Sequence, residues 1–462
     1  MYGRLRRVHF IGIGGSGMSG LAEVLLNLGY RVSGSDARRS EATDRLSRLG
    51  GRIFIGHDAG QAEGAQAVVY SSAVPAGNPE LTWARGAGLP VIPRAELLAE
   101  LMRMKFGVAV AGAHGKTTTT TLVGSVLARG GLDPTVVVGG RVHAFGSHAR
   151  LGQGQFLVAE ADESDGSFLK LTPAIAVITN LDLEHVDHYG DLDAIRDAFV
   201  AFADRVPFYG AIIGCADDPE VMRVLGAARS KRSLTYGLDS GDVQAREVEM
   251  GPAGARFAAY YGERRVGELE TRLVGRHNVL NTLAAVCVGL ELEIPFGLIR
   301  LGLAESAGVG RRFEVKGEAG GVLVVDDYGH HPTEIQATLR AARLHSRRLV
   351  VLFQPHRYTR TQALCERFAE CFAGADRVLV CDIYPAGEKP IPGVGAELIV
   401  MAALARGHAH VEYAGELARA QARLAEVAQP GDLVLTLGAG DVWKAGEALL
   451  AARAGGAAGG AV

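Results

Sequence analysis

The sequence lacks the features that mark secreted, disulfide-bonded or membrane-spanning proteins. The five cysteines are odd in number and form no Cys-x-x-Cys pair, so we expect them to be reduced core residues. No apolar run approaches the roughly 18 residues of a membrane span. The apolar stretch near the amino terminus leads straight into a glycine loop, which favours a first strand over a signal peptide. We therefore expect a cytoplasmic protein.

An excess of charge of one sign is also missing. The 462 residues carry a formal net charge of -3, and the sequence pI is about 6.5. No global basic field would draw such a chain to nucleic acid or to anionic lipid, so we expect neither as a partner. Any phosphate-binding site must be local. Lysine is scarce, with seven lysines against 41 arginines, so a single arginine carries little information.

What the sequence does contain is an alternation of short apolar runs with helix-like segments, which is typical of α/β folds. The pattern restarts near residues 107 and 312, and pieces broken by Gly and Pro between Asp242 and Leu273 suggest an antiparallel appendage before a helix at Asn278–Leu290. The expected strands are Val8–Ile13, Arg31–Ser35, Ala67–Tyr70, Pro90–Ile92, Gly107–Ala111, Phe156–Ala159, Ile175–Thr179, Ala211–Gly214, Val322–Val325, Leu349–Phe353, Arg377–Cys381 and Leu433–Leu437.

The first glycine-rich loop, Gly12-Ile13-Gly14-Gly15-Ser16-Gly17, fits the pattern GxGxxG between a strand and a helix. Its glycines permit a tight turn and let backbone amides approach a diphosphate at the helix N-terminus. Asp36 follows the second strand at the distance expected for a ribose contact. We predict ligand contacts at Gly14, Gly15, Ser16, Gly17 and Asp36. Alone, the loop fits an NAD enzyme, a sugar-nucleotide binder or a plain tight turn.

A second loop, Gly112-Ala113-His114-Gly115-Lys116-Thr117-Thr118, also lies between an expected strand and helix. This context predicts that Lys116 binds nucleotide phosphates and that the Thr117 hydroxyl binds Mg²⁺. The loop is shorter than the standard P-loop, which has glycine where this chain has Val110. We expect all seven of these residues to contact ATP.

Together these patterns predict an α/β protein of three domains, as the length also suggests. We expect an N-terminal Rossmann-like domain over residues 1–104, a central P-loop ATPase domain with a mostly parallel sheet over residues 105–310, and a C-terminal Rossmann-like α/β domain over residues 311–450. Residues 451–462, almost all Ala and Gly, are expected to form a disordered tail.

The shortened loop GxHGKTTT resembles that of the Mur ligase family and its folylpolyglutamate synthase relatives. Five further motifs resemble family motifs in family order, so the resemblance covers residues 7 to 445. They are EADESD (160–165), TNLDLEH (179–185), GRHNVLN (275–281), GRRFE (310–314) and DDYGHHPT (326–333). Within the family, HFIGIGGSGMSG, SSAVP, QPHRYTRT and DIYPAGE resemble the branch that adds L-alanine.

The resemblance implies an ATP-dependent ligase that joins L-alanine to the carboxylate of UDP-N-acetylmuramate. It implies a UDP-substrate domain, an ATPase domain and an amino-acid-side domain, an acyl-phosphate intermediate, and ADP and phosphate as products. ATP and Mg²⁺ are the expected cofactors, and we expect a monomer or weak homodimer.

The metal ligands that the resemblance implies are Thr117, Glu160 and His185. A glutamate at a strand end suits a hard cation, whereas a lone histidine is more often a satisfied core residue. Sister ligases carry a carbamylated lysine after this stretch, but no lysine lies between Lys170 and Lys231.

Further nucleotide contacts implied by the resemblance lie in two motifs. His277, Asn278 and Asn281 would contact the adenine, although asparagine at a helix start usually caps the helix. Asp327 would contact the ribose, with Arg311 or Arg312 beside the nucleotide. The alternative for these three charged residues is an ion pair between domains.

The remaining predicted residues concern the two substrates. His330, Arg357 and Arg360 resemble residues that hold the reacting carboxylate and the amino acid. The two arginines suit this task because a guanidinium binds carboxylates bidentately. A solvated basic face is the alternative. The predicted contacts for the UDP substrate, beyond the glycine loop, are Ser71, Ser72, Asn78, Arg94 and Tyr328.

Three other functions stay open at this point. A nicotinamide-dependent oxidoreductase would explain the first glycine loop, and a P-loop switch would explain the second. A sister Mur-type ligase that adds another amino acid or peptide would explain all the motifs.

Overall fold

The computed structural model describes residues 5–71, 73–142, 147–228, 232–306 and 308–458. It divides into two compact units. The first unit comprises residues 1–248, 256–272 and 278–309, and the second comprises residues 249–255, 273–277 and 310–462. Within the described ranges, no helix is both long and apolar enough to cross a membrane.

The first sheet of the first unit has five parallel strands in the order β3-β2-β1-β4-β5. The strand order reverses at β1 and β4, so the loops after these two strands meet at a switch point where α/β sheets bind ligands. The elements are β1 (Arg7–Ile11), α1 (Ser16–Asn27), β2 (Arg31–Asp36), α2 (Glu41–Arg48), β3 (Arg52–Ile55), β4 (Ala67–Tyr70), α3 (Pro79–Gly86), β5 (Val91–Pro93) and α4 (Arg94–Arg103).

The second sheet has ten strands in the order β15-β14-β13-β12-β11-β10-β6-β9-β7-β8. Its strands are β6 (Phe106–Ala111), β7 (Thr135–Val142), β8 (Ser147–Arg150), β9 (Phe156–Glu160), β10 (Ile175–Ile178), β11 (Ala211–Cys215), β12 (Arg232–Gly237), β13 (Val243–Gly251), β14 (Gly254–Tyr261) and β15 (Arg264–Thr271). Its helices are α5 (Lys116–Arg129), α6 (Val186–Tyr189), α7 (Leu192–Ala203), α8 (Pro219–Ala227), α9 (Arg276–Glu291) and α10 (Phe296–Ala304). The expected appendage between Asp242 and Leu273 corresponds to β13, β14 and β15.

The third sheet, in the second unit, has the order β16-β17-β21-β18-β19-β20 and is parallel except for the edge strand β16. Its strands are β16 (Glu314–Ala319), β17 (Val322–Asp327), β18 (Arg348–Phe353), β19 (Arg377–Cys381), β20 (Val411–Gly415) and β21 (Asp432–Leu437). Its helices are α11 (Pro332–Arg343), α12 (Tyr358–Cys371), α13 (Glu397–Ala405), α14 (Leu417–Val427) and α15 (Trp443–Ala458).

Three mostly parallel sheets covered by helices confirm the predicted fold class. Parallel strands bury both faces and therefore appear as continuous apolar runs, as in Val108–Ala111, which is wholly buried. The cysteines are unpaired, as expected, and four of them are buried while Cys365 is half-buried. Six strands were not predicted: β3, β7, β8, β12, β16 and β20. Five of them are edge strands or carry polar and exposed residues, whereas β7 was missed although its residues Val136–Val138 form a buried apolar run.

The expectation of a disordered tail from residue 451 is wrong as far as Ala458, because α15 continues to that residue. Val442, Ala445 and Leu449 are buried against the third sheet and anchor the helix. Alanine has the highest helix propensity, so a helix nucleated by packing propagates through an alanine-rich stretch. Residues 459–462 lie outside the described residues.

Candidate functional site

The loop between β6 and α5 can only be built with glycine at two positions. Gly112 has φ +132° and Gly115 has φ +84°, in a region that other residues rarely adopt. A Cβ at Gly112 would lie 2.1 Å from the Thr179 hydroxyl, and one at Gly115 would lie 2.5 Å from Asn281 Oδ1. Neighbouring segments therefore press against the loop from two sides.

Lys116 begins α5 and folds back over this loop. Its Nζ donates to the carbonyl oxygens of Gly112 (2.5 Å) and Ala113 (3.1 Å) and to Glu163 Oε1 (2.8 Å). Burial favours the neutral amine, but the negative charges of Glu163 and its acidic neighbours outweigh burial and raise the pKa of Lys116. The ammonium is thus charged and held over the loop by two carbonyl oxygens and Glu163.

The segment after β10 clamps the same loop. Asn180 Oδ1 accepts from the His114 amide (2.8 Å), and Asn180 Nδ2 donates to the His114 carbonyl (3.0 Å). The Thr179 hydroxyl donates to that carbonyl as well (2.6 Å), and His114 Nε2 lies 3.2 Å from Asp182 Oδ2. Asn180 therefore pairs with the loop backbone as a neighbouring strand would.

A group of candidate metal ligands lies beside Lys116. One ligand atom from each of Glu163, Glu184 and His185 lies within 4.8 Å of the others. Glu163 Oε2 is buried without a hydrogen-bond partner among the described residues. Burial raises the pKa of Glu163 to about 7, against the opposing effect of the Lys116 ammonium. Two carboxylates and an imidazole, with one buried oxygen unsatisfied, form a donor set that suits a divalent cation.

Sequence reasoning selected only His185 from this group. Glu163 and Glu184 lie in the motifs that were singled out, EADESD and TNLDLEH, but a linear sequence does not reveal which acidic side chain of a motif turns towards the lysine. Glu163 follows the end of β9 by three residues, and only the turn after the strand brings it back to Lys116.

Glu160 ends β9 and is not part of that group. It pairs in register with Val110 of β6, so its backbone lies at the base of the loop formed by residues 112–118, which we call the phosphate loop. Its carboxylate lies against Gly139, where a Cβ would be 2.8 Å from Glu160 Oε2, and it lines an open cleft. Thr117 and Thr118, in the first turn of α5, are both nearly buried.

Two of the three predicted adenine residues, Asn278 and Asn281, contact each other, and Asn281 also contacts α5 and the loop before it. Asn281 Oδ1 accepts from the Thr119 hydroxyl (3.2 Å), and Asn281 Nδ2 donates to Asn278 Oδ1 (3.1 Å). Both asparagines are buried on α9, and Asn281 packs against Gly115. His277 is the second residue of that helix and comes directly before Asn278.

The first glycine loop is held by β2. The amides of Gly12 and Ile13 donate to the Ser35 carbonyl (both 2.9 Å), and the Gly14 amide donates to Asp36 Oδ2 (2.8 Å). Asp36 therefore braces the loop, which competes with the predicted ribose contact. Because these amides are satisfied, an anion would be bound by the first amides of α1, from Ser16 onwards, which have no acceptor within the helix.

An open cleft of ≈ 750 Å³ lies beside this loop. Its lining includes four residues predicted to contact the UDP substrate, Gly15, Gly17, Ser71 and Arg94, together with the predicted metal ligand Glu160 and with Asp162. The Arg94 guanidinium packs on Gly17, where a Cβ would lie 2.8 Å from its nitrogen, and pairs with Asp162 Oδ2 (3.2 Å). The structure thus brings together charged groups from the first two sheets.

Two predicted contacts of this region have a different outcome. Asn78 is buried and caps α3, since its Oδ1 accepts from the amides of Glu80 (2.9 Å) and Leu81 (3.3 Å). Ser72 lies outside the described residues.

In the second unit, Asp327 and Arg311 hold loops together. Asp327 Oδ2 accepts from the Phe313 amide (2.7 Å), and Oδ1 accepts from the Gly329 amide (2.7 Å). Burial raises the pKa of Asp327 to about 6, although the charge of Arg312 opposes this rise. Arg311 pairs with Asp326 (2.9 Å) and donates to the Gly438 and Gly440 carbonyls. This ion pair lies within the second unit, whereas the alternative considered above was an ion pair between domains.

Tyr328 lies between two guanidinium groups. The central carbons of Arg311 and Arg312 lie 5.1 Å and 5.2 Å from the centroid of its ring. Arg312 also contacts Glu334 (3.4 Å). The predicted nucleotide residues of this unit are therefore adjacent to the predicted substrate residue Tyr328.

His330, Arg357 and Arg360 form a basic cluster around His356. The His330 and His356 rings are 5.6 Å apart, and Arg360 Nη1 lies 3.4 Å from His356 Nδ1. Burial, and then the positive charges of His330, Arg360 and Arg357, lower the pKa of His356 to about 3. Arg357 has φ +71°, a strained conformation of the kind found at functional sites. His356 is a site candidate that the sequence analysis passed over, although it lies within QPHRYTRT.

Comparisons with known proteins agree with this architecture. Three models match in order: the Mur ligase family catalytic domain over residues 7–106, the Mur ligase middle domain over residues 110–289, and the Mur ligase glutamate ligase domain over residues 311–440. UDP-N-acetylmuramate--L-alanine ligase of Geobacter sp. (strain M21) is 54% identical over 453 residues, which cover 97% of this chain and 98% of the relative. The corresponding ligase of Syntrophotalea carbinolica is 55% identical over 451 residues, with the same coverage.

Solved structures with the same fold include two ligases. UDP-N-acetylmuramate-alanine ligase MurC of Thermotoga maritima superposes with a TM-score of 0.82 at 28% identity, over 97% of this chain and 99% of that chain. A murein peptide ligase of Psychrobacter arcticus shares the fold with a TM-score of 0.73 at 24% identity, over the same fractions.

Proposed function

This chain belongs to the Mur ligase family, and from that membership we propose that it joins L-alanine to the carboxylate of UDP-N-acetylmuramate at the expense of ATP. The observation that carries the proposal is the phosphate loop, in which a half-buried, charged lysine lies beside three acidic or imidazole groups. The choice of substrates rests on the relatives that are 52% to 55% identical over almost the whole chain.

The ATP phosphates would bind to the loop 112–118, with Lys116 moving from Glu163 to the β- and γ-phosphates. Glu163, Glu184 and His185 fit a Mg²⁺ ion by their donor chemistry, and Thr117 and Glu160 stay predicted ligands at the base of the loop. Bound there, Mg²⁺ would neutralise charge that develops on the phosphate oxygens. Asn278, Asn281 and His277 remain the proposed adenine contacts.

The UDP diphosphate would bind at the N-terminus of α1, near Gly15 and Gly17, with Arg94 as the cation of the cleft. Asp162, which now pairs with Arg94, would release it to the incoming anion. Ser71 lines the same cleft and can supply a hydroxyl.

The L-alanine side of the reaction belongs to the basic cluster of the second unit. Arg357 and Arg360 suit the amino-acid carboxylate, and His356, kept neutral by burial and by its cationic neighbours, can accept a hydrogen bond from the amine. For Asp327, Arg311 and Arg312 we propose a role in shaping the nucleotide side through Tyr328.

The reaction would proceed in two steps. A carboxylate oxygen of UDP-N-acetylmuramate attacks the γ-phosphorus, the bond to the β-phosphate oxygen breaks, and ADP leaves. The alanine amine then attacks the carbonyl carbon of the acyl phosphate, loses a proton, and expels inorganic phosphate. Phosphorylation is needed because an unactivated carboxylate is a poor electrophile towards an amine.

Two measurements test the proposal. Sustained ADP release over many turnovers should depend on UDP-N-acetylmuramate and L-alanine together, and sustained release with one of them omitted would contradict the proposal. Heavy oxygen placed in the muramyl carboxylate should appear in inorganic phosphate, whereas unlabelled phosphate or AMP would exclude the acyl-phosphate route.

The proposal extends to the domain boundaries, the cellular compartment and the oligomeric state. We divide the chain at residues 104 and 310 into the UDP-substrate, ATPase and amino-acid-side domains, in keeping with the ranges that the three family models match. We assign the protein to the cytoplasm, where ATP and sugar nucleotides are available, and expect a monomer or weak homodimer.

A further inference from the structure

A buried ionic network lies inside the first sheet, away from the phosphate loop and the basic cluster. Glu80, in the first turn of α3, and His9, in β1, are both fully buried. His9 Nε2 lies 2.5 Å from Glu80 Oε2, and His57 Nδ1 lies 2.7 Å from Glu80 Oε1. The Ser35 hydroxyl also donates to Glu80 Oε1, at 2.7 Å. The proposed reaction uses none of these side chains.

The hydrogen-bond partners in this network indicate which atoms carry the protons. His9 Nε2 donates to Glu80, so its Nδ1 can accept from the Ser33 hydroxyl at 2.9 Å. Burial would favour a neutral Glu80, but the hydrogen bonds from His9, Ser35 and His57 outweigh burial and lower the pKa of the carboxyl. Glu80 is therefore a buried carboxylate that three donors hold in place.

The significance of Glu80 lies in the two segments that it connects. Ser35, which donates to Glu80, is the residue whose carbonyl accepts the amides of Gly12 and Ile13. The next residue, Asp36, accepts the Gly14 amide. Glu80 thus contacts the residue whose carbonyl holds two amides of the glycine loop and whose neighbour, Asp36, holds a third.

The second segment is the loop that leads from β4 to α3. It begins at Ser71, whose amide donates to the Ile11 carbonyl (3.3 Å), and it ends at Asn78, the cap of α3. Ser71 and the glycine loop both line the cleft beside Arg94. Because Glu80 belongs to the first turn of α3, its contact with Ser35 ties the two loops of the cleft to each other.

We infer that Glu80 and His9 are positioning residues for binding of the UDP substrate, acting through Ser35 on the glycine loop. The inference rests on the proposed function, which puts a diphosphate in this cleft. Catalysis needs binding groups held within fractions of an ångström, and locked hydrogen bonds behind those groups provide this precision.

The test compares Glu80→Gln and Ser35→Ala in the full chain. In Glu80→Gln, the amide NH₂ takes the place of one carboxylate oxygen, so at least one of His9, His57 and Ser35 must change from donor to acceptor or lose its hydrogen bond. Ser35→Ala removes one bond to Glu80 but keeps the carbonyl that holds the loop. The control is Glu23→Gln, which weakens a partly buried ion pair with Arg45 within the same domain.

The expected result is a rise of about tenfold in both Kd and KM for UDP-N-acetylmuramate, with KM for ATP and kcat changed less than about twofold. Calorimetry with UDP-N-acetylmuramate and steady-state kinetics measure these values. The double variant should be no worse than the worse single variant, because both changes act on one contact. Glu23→Gln should change neither value.

Several outcomes overturn the inference. One is that both Glu80→Gln and Ser35→Ala bind UDP-N-acetylmuramate with the wild-type Kd. Another is that the Glu23→Gln control loses as much affinity as they do. A third is that the effects of the two changes on Kd are strictly additive in the double variant. If Glu80→Gln does not fold, Ser35→Ala and its Kd decide the question. A wild-type chain that binds no UDP-N-acetylmuramate would instead refute the proposed function.

Discussion

Lys116→Ala should abolish turnover and leave the binding of UDP-N-acetylmuramate nearly intact, because the lysine belongs to the phosphate loop and not to the glycine-loop cleft. The substitution removes an ammonium that lies 2.8 Å from Glu163 Oε1 and 2.5 Å from the Gly112 carbonyl. It leaves the glycine loop, Ser71 and Arg94 unchanged.

The size of the effect follows from two roles of the charge. Removal of one oriented electrostatic group from a transition state typically lowers kcat by about 10²- to 10³-fold, and a charge shared by two phosphates should reach at least the upper value. Folding should also suffer, because removing one partner of a largely buried ion pair costs about 3 kcal/mol. Glu163, whose pKa burial raises to about 7, can take up a proton and limit that cost.

Three assays separate these effects. ADP release measures turnover, calorimetry measures the Kd for UDP-N-acetylmuramate, and urea unfolding measures stability. The double variant Lys116→Ala/Glu163→Gln should recover most of the lost stability and none of the activity. The reasoning would be refuted if the Kd for UDP-N-acetylmuramate rose in parallel with the loss of turnover, or if the single variant turned over normally.

The remaining predictions concern the metal ligands, the clamp on the phosphate loop and one buried acid. Glu160→Gln and Glu163→Gln should each raise the Mg²⁺ concentration needed for half-maximal activity, since the amide keeps the shape but removes the charge; an unchanged titration in either variant removes that residue from the metal site. Asn180→Ala should raise KM for ATP about tenfold and leave KM for UDP-N-acetylmuramate unchanged, because it frees only the backbone of His114. Burial raises the pKa of Asp327 to about 6, above the value of about 3.9 in an unfolded chain, so the stability that its proton contributes should be lost as pH rises from about 4 through 6. Unfolding free energies over that range should therefore fall by up to about 3 kcal/mol more in the wild type than in Asp327→Asn, and parallel pH profiles would contradict this.

Several features of the fold could be predicted because they depend on local patterns. A continuous apolar run such as Val108–Ala111 indicates a strand buried on both faces, and a glycine loop after it indicates a turn into a helix. Gly112 and Gly115 were singled out correctly as loop residues, since their conformations are required wherever this chain traces such a turn. The strand β3 escaped prediction because two of its four residues are exposed and only two are half-buried.

The roles of single polar residues were harder to predict. Asp36, Asn78, Asp327 and Arg311 were predicted to contact ligands, yet their side chains bind backbone amides or an ion-pair partner within the protein. Each residue type suits both tasks, because an oxygen that can accept from a ribose hydroxyl accepts equally well from an amide, and a guanidinium that can bind a phosphate pairs equally well with a carboxylate. The sequence alone contains no information on which donor is closer.

The sequence by itself determined the family, the alternation of strands and helices over most of the chain, and the positions of two glycine-rich loops between a strand and a helix, because these depend on contiguous residues. Only the tertiary structure decided that Glu163 and Glu184 join His185 beside Lys116, and that Glu80 reaches Ser35 from a helix 45 positions away in the chain. Such contacts form between segments whose approach is set by the packing of strands and helices on a sheet. The energy of a buried charge depends on the donors within about 3 Å of it, and those donors come from wherever the fold brings the chain back.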